Sequence, residues 1–135
     1  MTTINTQWLE QWMDLCATAL LRDEERLTEL DRQIGDGDHG INMNKGFTMC
    51  EEKLKGQTYN MSEGLCTLGE TLLEDIGGSM GPLYGLLFDE FSAASENKEV
   101  IDAEVFGEMI SGAVEGIQEI SPAKVGDKTL LDTLI

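Results

Sequence analysis

Residues 30–47 read LDRQIGDGDHGINMNKGF, bringing together Asp31, Asp36, Asp38 and the chain's one histidine, His39, with Gly35, Gly37 and Gly40 among them. Carboxylates this close repel unless a positive charge sits between them. In a chain of formal charge -17 the stretch therefore asks for a cation. Aspartate oxygens are hard donors, suited to Mg²⁺ or Ca²⁺ and poor at selecting zinc or copper. Asp36 and Asp38 flank Gly37 in a tight turn, and Asp31 precedes them on the neighbouring segment, so a loop folding back would converge all three. An EF-hand needs Gly at its sixth position and Glu at its twelfth. Counted from Asp36 these are Ile41 and Phe47, and counted from Asp31 they are Asp36 and Asn42, which excludes that loop. Mg²⁺ takes one or two carboxylates and leaves the rest of its shell to water and phosphate oxygens. His39, Gly40, Ile41 and Asn42 open a helix whose N-terminal N–H groups favour a phosphate. The plainer alternative is that Asp36 and Asp38 only cap this helix, with His39 on the surface.

Two further stretches carry chemistry-bearing residues. GGSMGPLYG at 77–85 offers Gly77, Gly78 and Gly81 for close backbone approach, but lacks the lysine and spacing of a P-loop. AKVGDKTLLDTL at 123–134 places Asp127 where a helix cap and a nucleotide-side contact use the same carboxylate.

The elements that must position these turns read as helices throughout, with strand alternation nowhere. Trp8, Leu9, Trp12, Cys16, Ala19 and Leu20 give one apolar face; Ile41, Met43, Phe47, Cys50 and Leu54 a second; Leu65, Leu68, Leu72, Leu73 and Ile76 a third. Pro82 suits a first helical turn ahead of Leu83, Leu86, Leu87, Phe91 and Ala94. Asp102 is the expected N-cap of a fifth helix, with Val105, Phe106, Met109, Ile110, Ala113, Val114 and Ile117 inward. A sixth starts near Thr129. Short connections at 56–60, 77–81, 95–100 and 121–128 imply antiparallel neighbours in an all-α bundle, one domain over residues 1–135. The last helix has barely begun at Ile135, so the expectation is a fragment lacking its C-terminal part.

Twenty-six acids against nine bases argue against unassisted binding to nucleic acid or an anionic membrane. No apolar run has the length of a membrane span, and MTTINTQWLEQW lacks the pattern of a secretory signal. Cys16, Cys50 and Cys66 are odd in number and show no metal-ligand spacing, as expected of buried thiols in a reducing compartment. The expected location is cytoplasmic. Trp8 and Trp12 are expected in a core or interface. Glu10, Asp14, Asp23, Glu24, Glu25, Glu51 and Glu52 are expected on solvated faces.

Taken together, LDRQIGDGDHGINMNKGF, GGSMGPLYG and AKVGDKTLLDTL resemble the nucleotide-binding L subunit of dihydroxyacetone kinases, the type that works with a phosphotransferase system. They stand in the family's order and span essentially the whole chain. The related nucleotide domain of bacterial fatty-acid kinases usually has Thr where His39 stands, which favours the dihydroxyacetone branch. The resemblance implies an antiparallel helical barrel holding ADP or ATP with Mg²⁺ at one end. It implies Asp31, Asp36 and Asp38 as magnesium ligands, and His39, Gly40, Ile41 and Asn42 as the phosphate-contacting helix start. Gly78, Ser79 and Met80 would form the second loop against the nucleotide, and Leu130 would pack near adenine. In such systems ADP stays bound as a coenzyme: a phosphohistidine phosphocarrier (M) subunit rephosphorylates it, and the phosphoryl group passes to dihydroxyacetone on a separate K subunit. The start at Met1, a few residues before the first helix, favours a free-standing subunit; its assembly state, a homodimer included, stays open.

Three departures from the family pattern bear on this reading. Met80 stands where Ser is common, which removes a hydroxyl contact and leaves the backbone N–H; Ser121-Pro122 replaces a Gly-containing turn; and the family's further helices, with an arginine and an Asp-Pro-Gly segment, do not follow. A chain ending here would leave the barrel open, with apolar faces for another chain to cover. Two other classes therefore remain alongside the kinase subunit: a regulatory relative that keeps nucleotide or metal without transfer, and a phosphohistidine carrier using His39.

Overall fold

The computed structural model describes residues 4–33, 35, 37–76, 80–127 and 129–135. The order is β1 (Ile4–Asn5), α1 (Thr6–Arg32), α2 (His39–Leu54), α3 (Met61–Glu70), a π turn (Thr71–Asp75), α4 (Met80–Ala94), β2 (Val100–Ile101), α5 (Ala103–Ile120) and α6 (Leu130–Leu134). The all-α expectation holds, with one small correction. β1 and β2 pair antiparallel, Ile4 opposite Ile101, and at two residues each they are too short to leave an alternation in the sequence.

Local chemistry sets the helix ends. Asn5 accepts from the Trp8 N–H at 2.9 Å to start α1. Asn60 and Glu63 form a reciprocal capping box on α3. The expected Asp102 cap is present, accepting from the Val105 N–H at 2.9 Å, and Thr129 with Asp132 caps α6.

From α1 to α5, consecutive helices run antiparallel. Gly40, opening α2, abuts Glu24 and Thr28 near the end of α1. Ser62 and Ser92 exchange hydroxyl-to-carbonyl hydrogen bonds of 2.9 and 2.7 Å between the start of α3 and the end of α4, and Phe91 on α4 meets Phe106 early on α5. This up-and-down order brings the acidic loop after α1, the start of α4 at Met80 and the turn after α5 to one end of the bundle. β1, β2 and the 55–60 connection lie at the other.

The core joins every helix through buried Leu9, Met13, Phe47, Leu68, Leu72, Phe88, Ile117 and Leu131 among others. Against it, half-buried Trp12 meets Phe47 at 5.8 Å and Phe88 at 5.9 Å between ring centroids, tying α1, α2 and α4 together. The expected faces hold in the main but drift at their edges. Trp8, Ile41, Leu73 and Phe106 are 44–50% exposed, and on α1 Leu9 and Met13, not Trp8, fill the core contact. Leu15, Leu21 and Ile120 are also exposed. An apolar cavity of about 230 Å³, lined by Ile4, Trp8, Trp12, Phe88, Phe91 and Phe106 among others, lies at the β1–β2 end, away from the acidic loop. No described helix is long and apolar enough to cross a membrane.

Candidate functional site

The first acidic stretch folds back on itself. Asp31, in the last turn of α1, reaches across the loop, and its Oδ2 accepts from the backbone N–H of Asp38 at 3.0 Å and of His39 at 3.3 Å. Gly35 donates its N–H to the Asp31 carbonyl at 2.6 Å. Gly37 turns the chain with φ +77°, a conformation that side chains rarely adopt. The loop thus folds back so that the Asp31 carboxylate meets the Asp38 backbone N–H; Asp36, the third expected ligand, lies outside the described residues.

For Asp38, helix capping differs from the plainer sequence reading; Asp36 lies outside the described residues. Asp38 occupies the N-cap position of α2, yet its side chain makes no capping hydrogen bond; the carboxylate serving those first N–H groups comes from Asp31, seven residues earlier. The N–H groups of Gly40 and Ile41 have no carbonyl partner inside α2. A carboxylate and any bound phosphate would therefore crowd one helix start, and their mutual repulsion calls for a cation. Hard carboxylate oxygens such as those of Asp31 suit Mg²⁺ by donor chemistry. Among the described residues no set of three His, Cys, Asp or Glu side chains gathers as a metal centre; the expected triad needs Asp36.

The four residues at the start of α2 have distinct surroundings. His39 is half-buried and its ring lies 6.3 Å from that of Tyr84, in the second turn of α4. Gly40 is buried, and a Cβ there would run into the Glu24 carbonyl oxygen and lie 3.0 Å from Thr28 Oγ1. Its small size is thus required for the packing of α2 on α1. Ile41 is 50% exposed, and Asn42, half-buried, continues the helix by donating its N–H to the Asp38 carbonyl at 2.9 Å. Nearby, Glu24 accepts from Asn44 Nδ2 at 2.7 Å, so this acid locks α1 to α2 and does not simply face solvent.

Of the second loop, Gly78 and Ser79 lie outside the described residues. Met80 begins α4 and is only 6% exposed, with its side chain in the core, so any contribution at the site comes from its backbone. Gly81 packs against the Leu72 and Ile76 carbonyls, where a Cβ would sit 2.7 and 3.1 Å away. In the third turn Asp127 accepts from the Lys124 N–H at 2.8 Å, closing the turn and not capping α6. Thr129 and Asp132 do the capping, and Asp132 also takes the Gly126 N–H at 2.6 Å, while Gly126 has φ +98°. Leu130 is half-buried beside fully buried Leu131.

Sequence reasoning passed over Tyr84 as a site residue, although it stands inside GGSMGPLYG; the signal was a tyrosine one turn after the glycines. Burial pushes its phenol pKa up. The three thiols are free, with Cys50 buried and Cys16 and Cys66 half-buried, and burial pushes the Cys50 pKa up to about 12.

Comparison with known proteins adds an independent line. The family model described as "DAK2 domain" matches residues 33–135. The chain is 33% identical over 131 residues to the ADP-binding subunit DhaL of PEP-dependent dihydroxyacetone kinase 1 of Listeria innocua, covering 96% of this chain and 66% of that protein. It is 35% identical over 125 residues to the corresponding Escherichia coli subunit, covering 92% of this chain and 60% of that one. Human triokinase/FMN cyclase is 36% identical over 122 residues, covering 89% of this chain and 21% of that protein. The chain thus spans 60–66% of the length of the two bacterial subunits.

Proposed function

Because the chain belongs to the DAK2 domain family, we propose that it is the ADP-binding, phosphoryl-transferring L subunit of a dihydroxyacetone kinase. The observation that carries this reading is the reach of Asp31 across its loop to the N–H groups of Asp38 and His39. It sets the Asp31 carboxylate at the start of a 16-residue helix whose first residue also meets the second turn of α4. The names of the bacterial relatives, ADP-binding subunits of PEP- and PTS-dependent dihydroxyacetone kinases, support the same assignment.

In this reading Asp31, Asp36 and Asp38 hold Mg²⁺, and the N–H groups of Gly40 and Ile41 at the α2 start receive phosphate oxygens. Bound magnesium supplies charge neutralisation and alignment for phosphoryl transfer. His39 orients the helix start through its contact with Tyr84. Gly78, Ser79 and the Met80 backbone border the nucleotide, with Leu130 toward the base. As a phosphoryl acceptor, His39 is disfavoured by the neighbouring carboxylates of Asp31 and Asp38, which would repel a transferred phosphate. Nucleotide-borne transfer is therefore preferred over a phosphohistidine carrier. The acceptor, dihydroxyacetone, is held by a K subunit, and an M-type phosphocarrier in the cytoplasm regenerates ATP from the bound ADP.

Calorimetry with ADP, in Mg²⁺ and then in EDTA, tests the site. Binding that requires the metal and is lost in the Asp36→Ala, Asp38→Ala double variant is the expected result. Failure of the unaltered chain to bind ADP would overturn the reading. With binding in hand, a coupled assay with K and phosphocarrier subunits separates a transferring subunit from a regulatory relative.

A further inference from the structure

The π turn Thr71–Asp75 is gripped from both sides. Thr71 is fully buried. Its hydroxyl donates to the Thr67 carbonyl at 2.7 Å, and its N–H is shared between the carbonyls of Thr67 and Leu68; such back-bonding loosens a helix where it occurs. From α2, Lys53 Nζ donates to Thr71 Oγ1 at 3.0 Å and to Asp75 Oδ2 at 2.5 Å. One ammonium group therefore touches the first and last residues of the turn. On the opposite side α4 presses Gly81 to the Leu72 and Ile76 carbonyls and Gly85 to the Gly69 carbonyl and the Leu73 backbone. Gly46 of α2 lies under the Leu72 side chain.

We propose that Lys53 is a positioning residue for nucleotide binding, setting where the chain leaves the π turn ahead of α4. The proposal rests on the nucleotide reading above. A π turn holds an extra residue relative to an α turn. Its reversion to α form would rotate the next segment by about 100° and shift it by about 1.5 Å per residue. Lys53 and Asp75 side chains are 44% and 38% exposed, and an ion pair this wet adds little to global stability. Its effect falls on the exit of the turn, where the Gly81 and Gly85 contacts leave no slack for a shifted chain.

The test is calorimetry of Mg·ADP binding to the unaltered chain, Lys53→Met, Lys53→Arg and Asp75→Asn, with melting temperatures and amide hydrogen exchange of residues 71–76 in parallel. The expected result is binding about fivefold weaker in Lys53→Met and Asp75→Asn, near-normal binding in Lys53→Arg, and faster exchange of Leu72–Ile76 in Lys53→Met, with melting hardly moved. Unchanged affinity and exchange in Lys53→Met would overturn the proposal while leaving the nucleotide site standing. So would a parallel loss of affinity and melting temperature that Lys53→Arg fails to rescue. Absence of ADP binding to the unaltered chain would overturn the nucleotide reading, and this proposal with it.

Discussion

The rings of His39 and Tyr84 lie 6.3 Å apart, tilted by 55°, and this contact joins the helix start after the acidic loop to the helix that begins inside the second glycine cluster. The two residues are far apart in sequence, so the up-and-down topology, and no local signal, brings them together. Aromatic pairs of this kind contribute roughly 0.5–1.5 kcal/mol. Tyr84→Ala is expected to weaken Mg·ADP binding about threefold to tenfold, and Tyr84→Phe less than about twofold, because the ring and not the hydroxyl makes the contact. Equal weakening by both substitutions, read by calorimetry, would move the effect to the hydroxyl and away from the His39 contact.

Asp31 has two separable tasks, and substitution can divide them. The neutral amide of Asp31→Asn would keep an acceptor oxygen for the Asp38 and His39 N–H groups while losing the charge that a cation needs. Asp31→Ala removes both and leaves donors unpaired, at about 1–3 kcal/mol. Urea unfolding should therefore place Asp31→Asn close to the unaltered chain and Asp31→Ala well below it, whereas Mg²⁺-dependent ADP binding should be lost in both. Retention of the magnesium dependence in Asp31→Asn would remove Asp31 from the ligand set.

Gly40 shows how a residue can serve two purposes at one position. On propensity alone, alanine in a helix is favoured over glycine by about 1 kcal/mol. Here an added Cβ meets the Glu24 carbonyl oxygen, with the Leu27 Cβ and Thr28 Oγ1 each 3.0 Å away, and backbone of a packed helix cannot yield as a flexible side chain can. Overpacking of this sort costs about 1–3 kcal/mol, so the steric term wins. Gly40→Ala should lower the denaturation midpoint and weaken nucleotide binding with it; a midpoint at or above that of the unaltered chain would show that α1 and α2 part without cost.

The helices and the acidic loop were legible because both are written locally: apolar spacing for Phe47, Cys50 and Leu54, a turn-forming Gly37 between carboxylates, and an Asp102 cap that the structure retains. What escaped was set by partners distant in sequence. Asp31 rather than Asp38 serves the α2 start, since only the fold-back of the loop puts its carboxylate there. The Met80 side chain is in the core, because α4 begins inside the glycine stretch that reads as a loop. The π turn left no trace in the apolar period, for buried Leu68, Leu72 and Ile76 are spaced four apart, as an α-helix would also space them, and its anchor, Lys53, is an ordinary lysine on a polar helix face until Thr71 and Asp75 are placed beside it.

Asp89 offers a pH-dependent test away from the proposed site. Its carboxyl lies over Gly69, and burial, followed by the charges of Glu70, Glu90 and Glu74, holds its pKa above the ordinary 3.8. The folded chain therefore binds this proton more tightly than the unfolded chain does, and the number of protons bound falls on unfolding. Stability from this group is full below about 3.8, the ordinary value, and is lost as pH rises through the folded-state value. At neutral pH the ionised carboxylate is a net liability, which the isosteric Asp89→Asn removes without opening space. The variant should melt above the unaltered chain at pH 7, and the gap should close as the pH is taken down toward 3. A gap of constant size across that range would mean that packing, not the charge on Asp89, sets the difference, and a variant less stable at pH 7 would mean that the ionised carboxylate is held by a favourable interaction stronger than its repulsion from Glu70, Glu74 and Glu90.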